Sequence, residues 1–299
     1  MSKEFYHKEG GKFIKTNLMD KKSVLITGCS SGIGLKTAEL LRNNNWNVFA
    51  TARQEDDLKM LESLNLKPIQ LDLNDITSIN NCVNFIKSYS EGSLLAIVNN
   101  AGYGLPGAIE DLTYGDIIKQ FNVNLFGSIE LTNQLLPELI NQKKSSIVYV
   151  SSLVGRMSLP FMGAYSATKF AMEAIADAQR IELSNTPIQV SLIEPGPIYT
   201  NFSKNCANNI EHLLKKTSRF NNFYINYFEK RVNGGLIEDR FRLPADKVAK
   251  KIVHAVESRA AKSRYKITIP TYIAEILIRF CTTKFRDKII KKHISKRFS

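Results

Sequence analysis

Ser23-Val24-Leu25-Ile26-Thr27-Gly28-Cys29-Ser30-Ser31-Gly32-Ile33-Gly34 opens with four residues of strand type and runs straight into three glycines. Beyond them Ile33, Thr37, Leu40 and Leu41 recur along one side of a helix. Strand, glycine turn and helix, in that order, form the setting that a dinucleotide-binding turn needs. Glycine lets the backbone approach a pyrophosphate, and the first turn of the helix offers N–H groups with no internal acceptor. The spacing is G-x-x-x-G-x-G rather than the general G-x-G-x-x-G. Alone it is weak evidence, because glycines also simply make turns.

The alternation continues outward from this stretch. Trp46–Ala52, Pro68–Leu73, Leu94–Val98, Ser146–Val150, Gln189–Ile193 and Lys266–Ile269 read as further strands. Leu94–Val98 is uncharged, as a strand covered on both faces should be. Helical patterns lie between them, among them Ile117–Leu136 and Met162–Ala174. With no repeat or low-complexity linker, this predicts an α/β fold: a doubly wound parallel sheet, or Rossmann fold, forming a single domain over residues 21–270. Ligands in such sheets bind beyond the carboxyl ends of the strands. Gly28, Arg53, Asp72, Asn99, Ser152 and Pro195 all fall at or just after a strand end, so one rim collects them.

An NAD enzyme usually ends its second strand with an acid for the ribose 2′-hydroxyl. Here that strand ends Ala50-Thr51-Ala52 and is followed by Arg53. A guanidinium suits a 2′-phosphate, so NADP(H) is expected in preference to NAD(H). Otherwise Arg53 is a surface charge and the choice of coenzyme is loose. Tyr165-Ser166-Ala167-Thr168-Lys169 sets a phenol and an ammonium on one helix face. A phenol titrates near ~10, and a neighbouring ammonium lowers that value toward one useful to a general acid/base. Such a pair is also common on a solvated helix face. Asn124 lies inside a helical pattern, where asparagine is a poor former; it could be a satisfied buried amide.

The chain has 299 residues and 43% hydrophobic content, enough for one large core. Met1–Asp20 is a polar N-terminal extension without an apolar leader, so no secretory signal is expected. The uncharged run 92–109 is too polar to span a bilayer. Four scattered cysteines without a C-x-x-C pair read as free thiols of a reducing compartment, which points to the cytoplasm. The four histidines make no metal-ligand pattern. A net charge of +13 raises three kinds of partner: nucleic acid, an anionic membrane or a phosphorylated small molecule. No nucleic-acid-binding motif supports the first.

Thr27-Gly28-x-x-x-Gly32-x-Gly34, Asn99-Asn100-Ala101-Gly102, Asn124, Ser152, Tyr165-x-x-x-Lys169 and Pro195-Gly196 together resemble the short-chain dehydrogenase/reductase family. They run in family order over about residues 20 to 200. The resemblance implies an enzyme that interconverts a carbonyl and an alcohol with a nicotinamide coenzyme. It implies Tyr165 as acid/base, Lys169 lowering its pKa and binding the nicotinamide ribose, Ser152 holding the substrate oxygen, and Asn124 holding a water of the proton relay. Ser151 is a rival to Ser152 with a poorer spacing to Tyr165. The implied coenzyme site is Gly28, Ser30, Ser31, Gly32, Ile33, Gly34, Arg53, Asp72, Leu73, Asn99, Ala101, Gly102, Tyr165, Lys169, Pro195, Gly196, Ile198 and Thr200. Within it, Asp72 would meet adenine and Thr200 the nicotinamide amide. Ala50-Thr51-Ala52-Arg53 and Glu194-Pro195-Gly196-Pro197-Ile198 look like the hydroxysteroid and retinol dehydrogenase side of the family. A homodimer or homotetramer is a further implication. The alternative is a non-catalytic NADP(H)-binding sensor or scaffold on the same fold.

Residues 200–243 lose the α/β regularity and fall where the family has its variable substrate lid. They carry Phe202, Phe220, Phe223, Tyr224, Tyr227, Phe228 and Phe241, which would line a site for an apolar substrate or else pack a helical core. Residues 271–299 form a basic extension that starts as an amphipathic stretch, with eight Lys/Arg against Glu275 and Asp287. Peripheral contact with an anionic membrane surface and a solvated helix packed on the lid or on a partner subunit are the two readings of it.

Overall fold

A computed structural model describes residues 5–9, 12–16, 22–90, 92–214, 217–232 and 241–298. Within the N-terminal extension, β1 (Phe5–Glu9) and β2 (Lys12–Thr16) pair antiparallel. Two residues separate them in the sequence, the length of the commonest hairpin connection.

The central sheet is built from β3 (Ser23–Ile26), β4 (Asn47–Ala52), β5 (Lys67–Gln70), β6 (Leu94–Asn99), β7 (Ser145–Val150) and β8 (Ile188–Glu194). A short parallel pair follows, β9 (Ile198–Tyr199) with β10 (Leu243–Pro244), and β11 (Arg264–Lys266) closes the sheet edge. The order is β11-β8-β7-β6-β3-β4-β5, and every pairing in it is parallel. The chain winds outward from β3 through β4 to β5, crosses back to β6, and then winds the other way. The crevice between β3 and β6 is therefore the topological switch point, where ligands of such sheets bind.

Side chains alternate across the strands and sort the core into two layers. Leu25, Phe49, Ile97 and Ile147 face α3 (Ile76–Tyr89), α5 (Gly127–Ile140) and α6 (Gly163–Glu182). Val24, Ile26, Val48 and Val148 face α1 (Gly32–Asn43), α2 (Glu55–Ser63) and α10 (Ala245–Glu257). Their branched apolar side chains suit strands buried on both faces.

Three expected boundaries move. The stretch expected as the helix Ile117–Leu136 is α4 (Tyr114–Phe121), a π turn over Asn122–Phe126, and α5. The third strand stops at Gln70 instead of Leu73. The last strand is Arg264–Lys266 rather than Lys266–Ile269, because Pro270 cannot donate to a ladder and instead starts α11 (Ile269–Phe280). Residues 200–243 hold α7 (Phe202–Asn208), α8 (Glu211–Leu214) and α9 (Asn221–Val232). The side chains of Tyr227 and Phe228, expected among the lid aromatics, lie outside the described residues. α12 (Thr283–Phe298) ends the chain.

Candidate active site

The glycine turn at the end of β3 is tied to the end of β6. Thr27 Oγ1 accepts from Asn100 N (3.0 Å) and Ala101 N (2.9 Å). The Asn100 amide donates to Thr27 O (2.9 Å) and Gly28 O (3.0 Å), and Gly28 N donates to Thr51 Oγ1 (3.2 Å). Gly28 and Gly32 sit at φ +72° and +61°, which side chains resist. A Cβ on Gly34 would lie 2.2 Å from Gly28 O and 2.5 Å from Asn100 Nδ2. The turn thus folds back against the first helical residues, and its glycines are obligatory for that fold. Ser31, the N-cap of α1, makes no side-chain cap bond, which leaves that end to a ligand. A cleft of ≈ 490 Å³ lies beside it, lined by Gly32, Lys36, Thr200 and Asp246 among others. Bare glycines, an uncapped helix N-terminus and an adjoining cleft fit the pyrophosphate of a dinucleotide. Ser30 and Ser31 lie on the open side of the turn, and Ile33 is half-buried on α1.

Other expected coenzyme residues follow along the rim. Arg53 is exposed just past β4, and its carbonyl accepts from Gln70 Nε2 (3.1 Å). Asp72 Oδ1 accepts from Asn74 N (2.9 Å), and Asp72 N donates to Ser78 Oγ (2.9 Å). Leu73 is buried, and its carbonyl lies 2.2 Å from where a Cβ on Gly127 would stand. The Asn99 side chain turns toward α5 and donates to Thr132 Oγ1 (2.9 Å). Ala101 and Gly102 lead on toward the helix face of Lys169: a Cβ on Gly102 would be 3.8 Å from its Nζ. Gly196 packs so closely that a Cβ would lie 2.0 Å from Thr268 Oγ1. Ile198 and Thr200 continue the same wall, Thr200 Cγ2 being 3.1 Å from a Cβ on Gly32.

The residues expected to handle the proton meet where α6 passes the end of β7. Ser152 donates to Pro195 O (3.5 Å) and caps the turn that follows it by accepting from Val154 N (3.3 Å). Leu153 N donates to the same Pro195 carbonyl (2.8 Å), so the Ser151-Ser152 and Pro195-Gly196 loops are pinned together. Tyr165 is buried, with the Phe202 ring at 5.5 Å and Cys206 beside it. Burial pushes the phenol well above its ordinary range, the neighbouring thiol adds to that, and Ser152 pulls it down. Lys169 is the neighbour that the i, i+4 spacing predicts, its Nζ 5.9 Å from the Tyr165 ring centre. Its ammonium donates to Val150 O (2.8 Å) rather than to the phenol. Burial lowers Lys169 to about 8, while the Glu173 carboxylate pulls it up. Asn124 is fully buried in the π turn, a widened turn common at functional sites. Its amide is engaged on both sides: Oδ1 accepts from Tyr103 N (3.0 Å), and Nδ2 donates to Tyr103 O (2.9 Å) and Thr168 Oγ1 (3.2 Å).

Several residues of this region escape a sequence reading. Thr27, Thr51 and Asn100 stand within quoted motifs, but the motifs alone do not show that they lock the turn. Cys206 has no motif around it. Behind Lys169 lies a charged cluster drawn from three elements. Arg264 reaches Glu173 Oε2 (3.1 Å), Asp177 Oδ2 (2.5 Å) and Glu194 Oε1 (3.1 Å). Glu194 is raised to about 7 by burial and by the Glu173 charge, against the pull of Arg156, Arg264 and Lys266. Ser151 faces Glu173, away from the role for which it rivals Ser152.

The aromatics expected to line a lid divide. Tyr224 is fully buried, accepts from Ala108 N (3.0 Å) and donates to Asp111, so it is core. Phe223 stacks on Phe161 at 3.8 Å. Phe202 packs on Tyr165, and Phe241 is exposed.

The family model for short chain dehydrogenases matches residues 22–211. An Escherichia coli (strain K12) protein named uncharacterized oxidoreductase YbbO is 36% identical over 278 residues, 93% of this chain and 97% of that one. Retinol dehydrogenase 8 of Bos taurus is 36% identical over 191 residues, 60% of each chain. A solved short-chain dehydrogenase from Streptomyces avermitilis superposes with a TM-score of 0.73 at 24% identity, covering 94% of this chain and 98% of that one. The chain belongs to the short-chain dehydrogenase/reductase family, on the side where retinol dehydrogenase-like members lie, and is an NAD(P)-dependent oxidoreductase.

Proposed function

We propose that the chain reduces a carbonyl on an apolar substrate to an alcohol with NADPH, and that Tyr165 supplies the proton. The observation that carries this is the meeting of Ser152, Tyr165 and Lys169 at one edge of the rim that also bears the glycine turn. When bound, the nicotinamide coenzyme supplies the hydride. The chain's own residues do the rest. Ser152 donates a hydrogen bond to the carbonyl oxygen and keeps it near the phenol. The Tyr165 hydroxyl then passes its proton to that oxygen as negative charge builds there. A buried phenol stays protonated at neutral pH, the form that a donor needs at the start of a reduction. Lys169 stabilises the phenolate left behind and binds the nicotinamide ribose. Asn124 supports the proton path through its position between Tyr103 and Thr168.

The coenzyme preference rests on Arg53, exposed where β4 ends without a carboxylate. The apolar substrate rests on the Phe202 ring against Tyr165 and on residues 200–243 acting as a lid over the domain of residues 21–270. Exposed Phe126 and Ile140 on or next to α5, with Phe170 and Ile181 on α6, favour a homodimer or homotetramer through these helices. Cys29, Cys82 and Cys281 are free thiols, in keeping with a cytoplasmic setting.

Tyr165→Phe tests the chemistry. Turnover of a long-chain aldehyde should fall at least about 1,000-fold while NADPH still binds. Undiminished turnover refutes the assignment, and an inactive wild type that binds NADPH favours the sensor. Arg53→Ala should weaken NADPH binding by about tenfold or more and leave NADH unchanged. Equal use of both coenzymes before and after the change refutes the preference.

A further inference from the structure

α11 carries apolar residues on two opposite faces. Its inward face buries Thr271 and Ala274, and Ala274 packs in a cluster with Leu153, Val154 and Tyr165. Glu275 anchors it to Arg156 (3.5 Å) and Lys266 (3.6 Å). The outward face bears Ile269, Tyr272, Ile273, Ile276 and Phe280, of which Ile276 is 57% and Phe280 75% exposed. At ~100° per residue these five fall within an arc of about 100°, a continuous apolar stripe. Arg279 flanks it. α12 follows, with exposed Phe285 and Ile289 set among exposed Lys284, Lys288 and Lys291. A cavity of ≈ 350 Å³ opens between α12, at Asp287, Ile290 and Lys291, and the loop Leu159–Phe161. Gly163, two residues before Tyr165, also lines it. Phe161 holds a left-handed backbone (φ 63°), a strained state for a bulky residue, and stacks on Phe223 there. Among the described residues no helix is long and apolar enough to cross a membrane.

We propose that the outward stripe of α11, with the cations of α12, docks the protein on the surface of an anionic lipid bilayer, so that the cavity beside Phe161 faces the lipid. Exposed large apolar side chains in a stripe this long call for a cover. Residues 271–299 carry eight Lys/Arg against two acids, which complements anionic headgroups. A second copy is the poorer cover, because a two-fold contact would set the same cationic patch against itself. Apolar side chains beside basic ones are the composition of a surface-lying helix. The inference deepens the proposed function by naming the source of the substrate: an apolar carbonyl dissolved in the bilayer.

The test is flotation of the full chain with phosphatidylcholine vesicles, with and without phosphatidylserine. The wild type should float with phosphatidylserine vesicles and be released by high salt. Ile276→Glu with Phe280→Glu should lower the bound fraction at least about tenfold and leave turnover of a water-soluble carbonyl unchanged. Lys284→Glu with Lys288→Glu should abolish the preference for phosphatidylserine. A wild type that floats with neither vesicle overturns the inference, as does a double variant that floats like the wild type. So does a wild-type dimer that fails to float and that the apolar-face variant splits, since the cover is then a second copy. Flotation needs no catalysis, so floating protein that fails to reduce apolar carbonyls would sink the substrate reading and leave the docking surface standing.

Discussion

Replacing Thr27 with valine removes one hydroxyl from the joint between the glycine turn and β6 and leaves the shape nearly unchanged. Thr27 is fully buried. The hydroxyl is the acceptor for Ala101 N at 2.9 Å. It also accepts from Asn100 N at 3.0 Å, but that N–H retains Val98 O at 3.0 Å. One N–H therefore loses its acceptor and one keeps a second partner. A deprived buried N–H costs about 1–3 kcal/mol, and Ala101 is only partly buried, so about 2 kcal/mol is expected in all. For a chain of this size that lowers Tm by roughly 3 °C. Coenzyme affinity should fall with it, because the released strand end lets Gly28 and Ala101 move apart. Thr27→Ser keeps the acceptor and should recover most of both losses. The assays are urea unfolding followed by circular dichroism, and NADPH titration by fluorescence. If Thr27→Val loses less than about 0.5 kcal/mol, or if valine and serine behave alike, the hydroxyl does not hold the turn.

Gly34→Ala should be worse, because its Cβ would stand 2.2 Å from a backbone oxygen that cannot swing away. A loss of about 2 kcal/mol or more and abolished NADPH binding are expected; an intact titration curve would exclude the close approach. Glu194 is raised from 4.5 to about 7, so its folded form holds a proton that the unfolded chain releases. Its contribution is full below about pH 4.5 and is lost as pH rises through about 7, on the order of 3 kcal/mol in all. In urea midpoints measured across that window, Glu194→Gln should flatten the decline; parallel curves for the two proteins would refute it. Glu173 pulls Lys169 up from the value that burial alone would give. Glu173→Gln should therefore move the alkaline limb of kcat/KM to lower pH, with Glu173→Asp restoring it in part; an unmoved limb would detach Glu173 from Lys169.

What could be read in advance was local. Val24, Ile26 and Leu25 sort to opposite layers by alternation, and the glycines at 28, 32 and 34 fix the turn through backbone geometry that no other residue shares. A signal failed where two local preferences met. Ile267 and Ile269 favour a strand, but Pro270 one residue on removes a ladder donor, and the helix start won. The π turn at Asn124 was illegible because helix propensity does not separate an i→i+4 from an i→i+5 ladder. The α11 stripe was half legible: apolar residues at helical spacing mark a face, and only packing shows that Ala274 points inward while Ile276 and Phe280 do not. The state of Lys169 was least accessible of all. Its i, i+4 partner suggested an ammonium spent on the phenol, yet a buried ammonium takes the nearest carbonyl, and the end of β7 brings Val150 O to 2.8 Å. Burial lowers the Lys169 pKa and Glu173 pulls it back up, and Glu173 is itself held by an arginine 91 residues later in the chain. No window of sequence contains those groups together. The sheet order brings them together by placing β11 beside β8 and β8 beside β7, with α6 packed against β8. The setting of Lys169 is therefore a property of strand order, and a substitution at Arg264 should shift the titration of Lys169 without touching it.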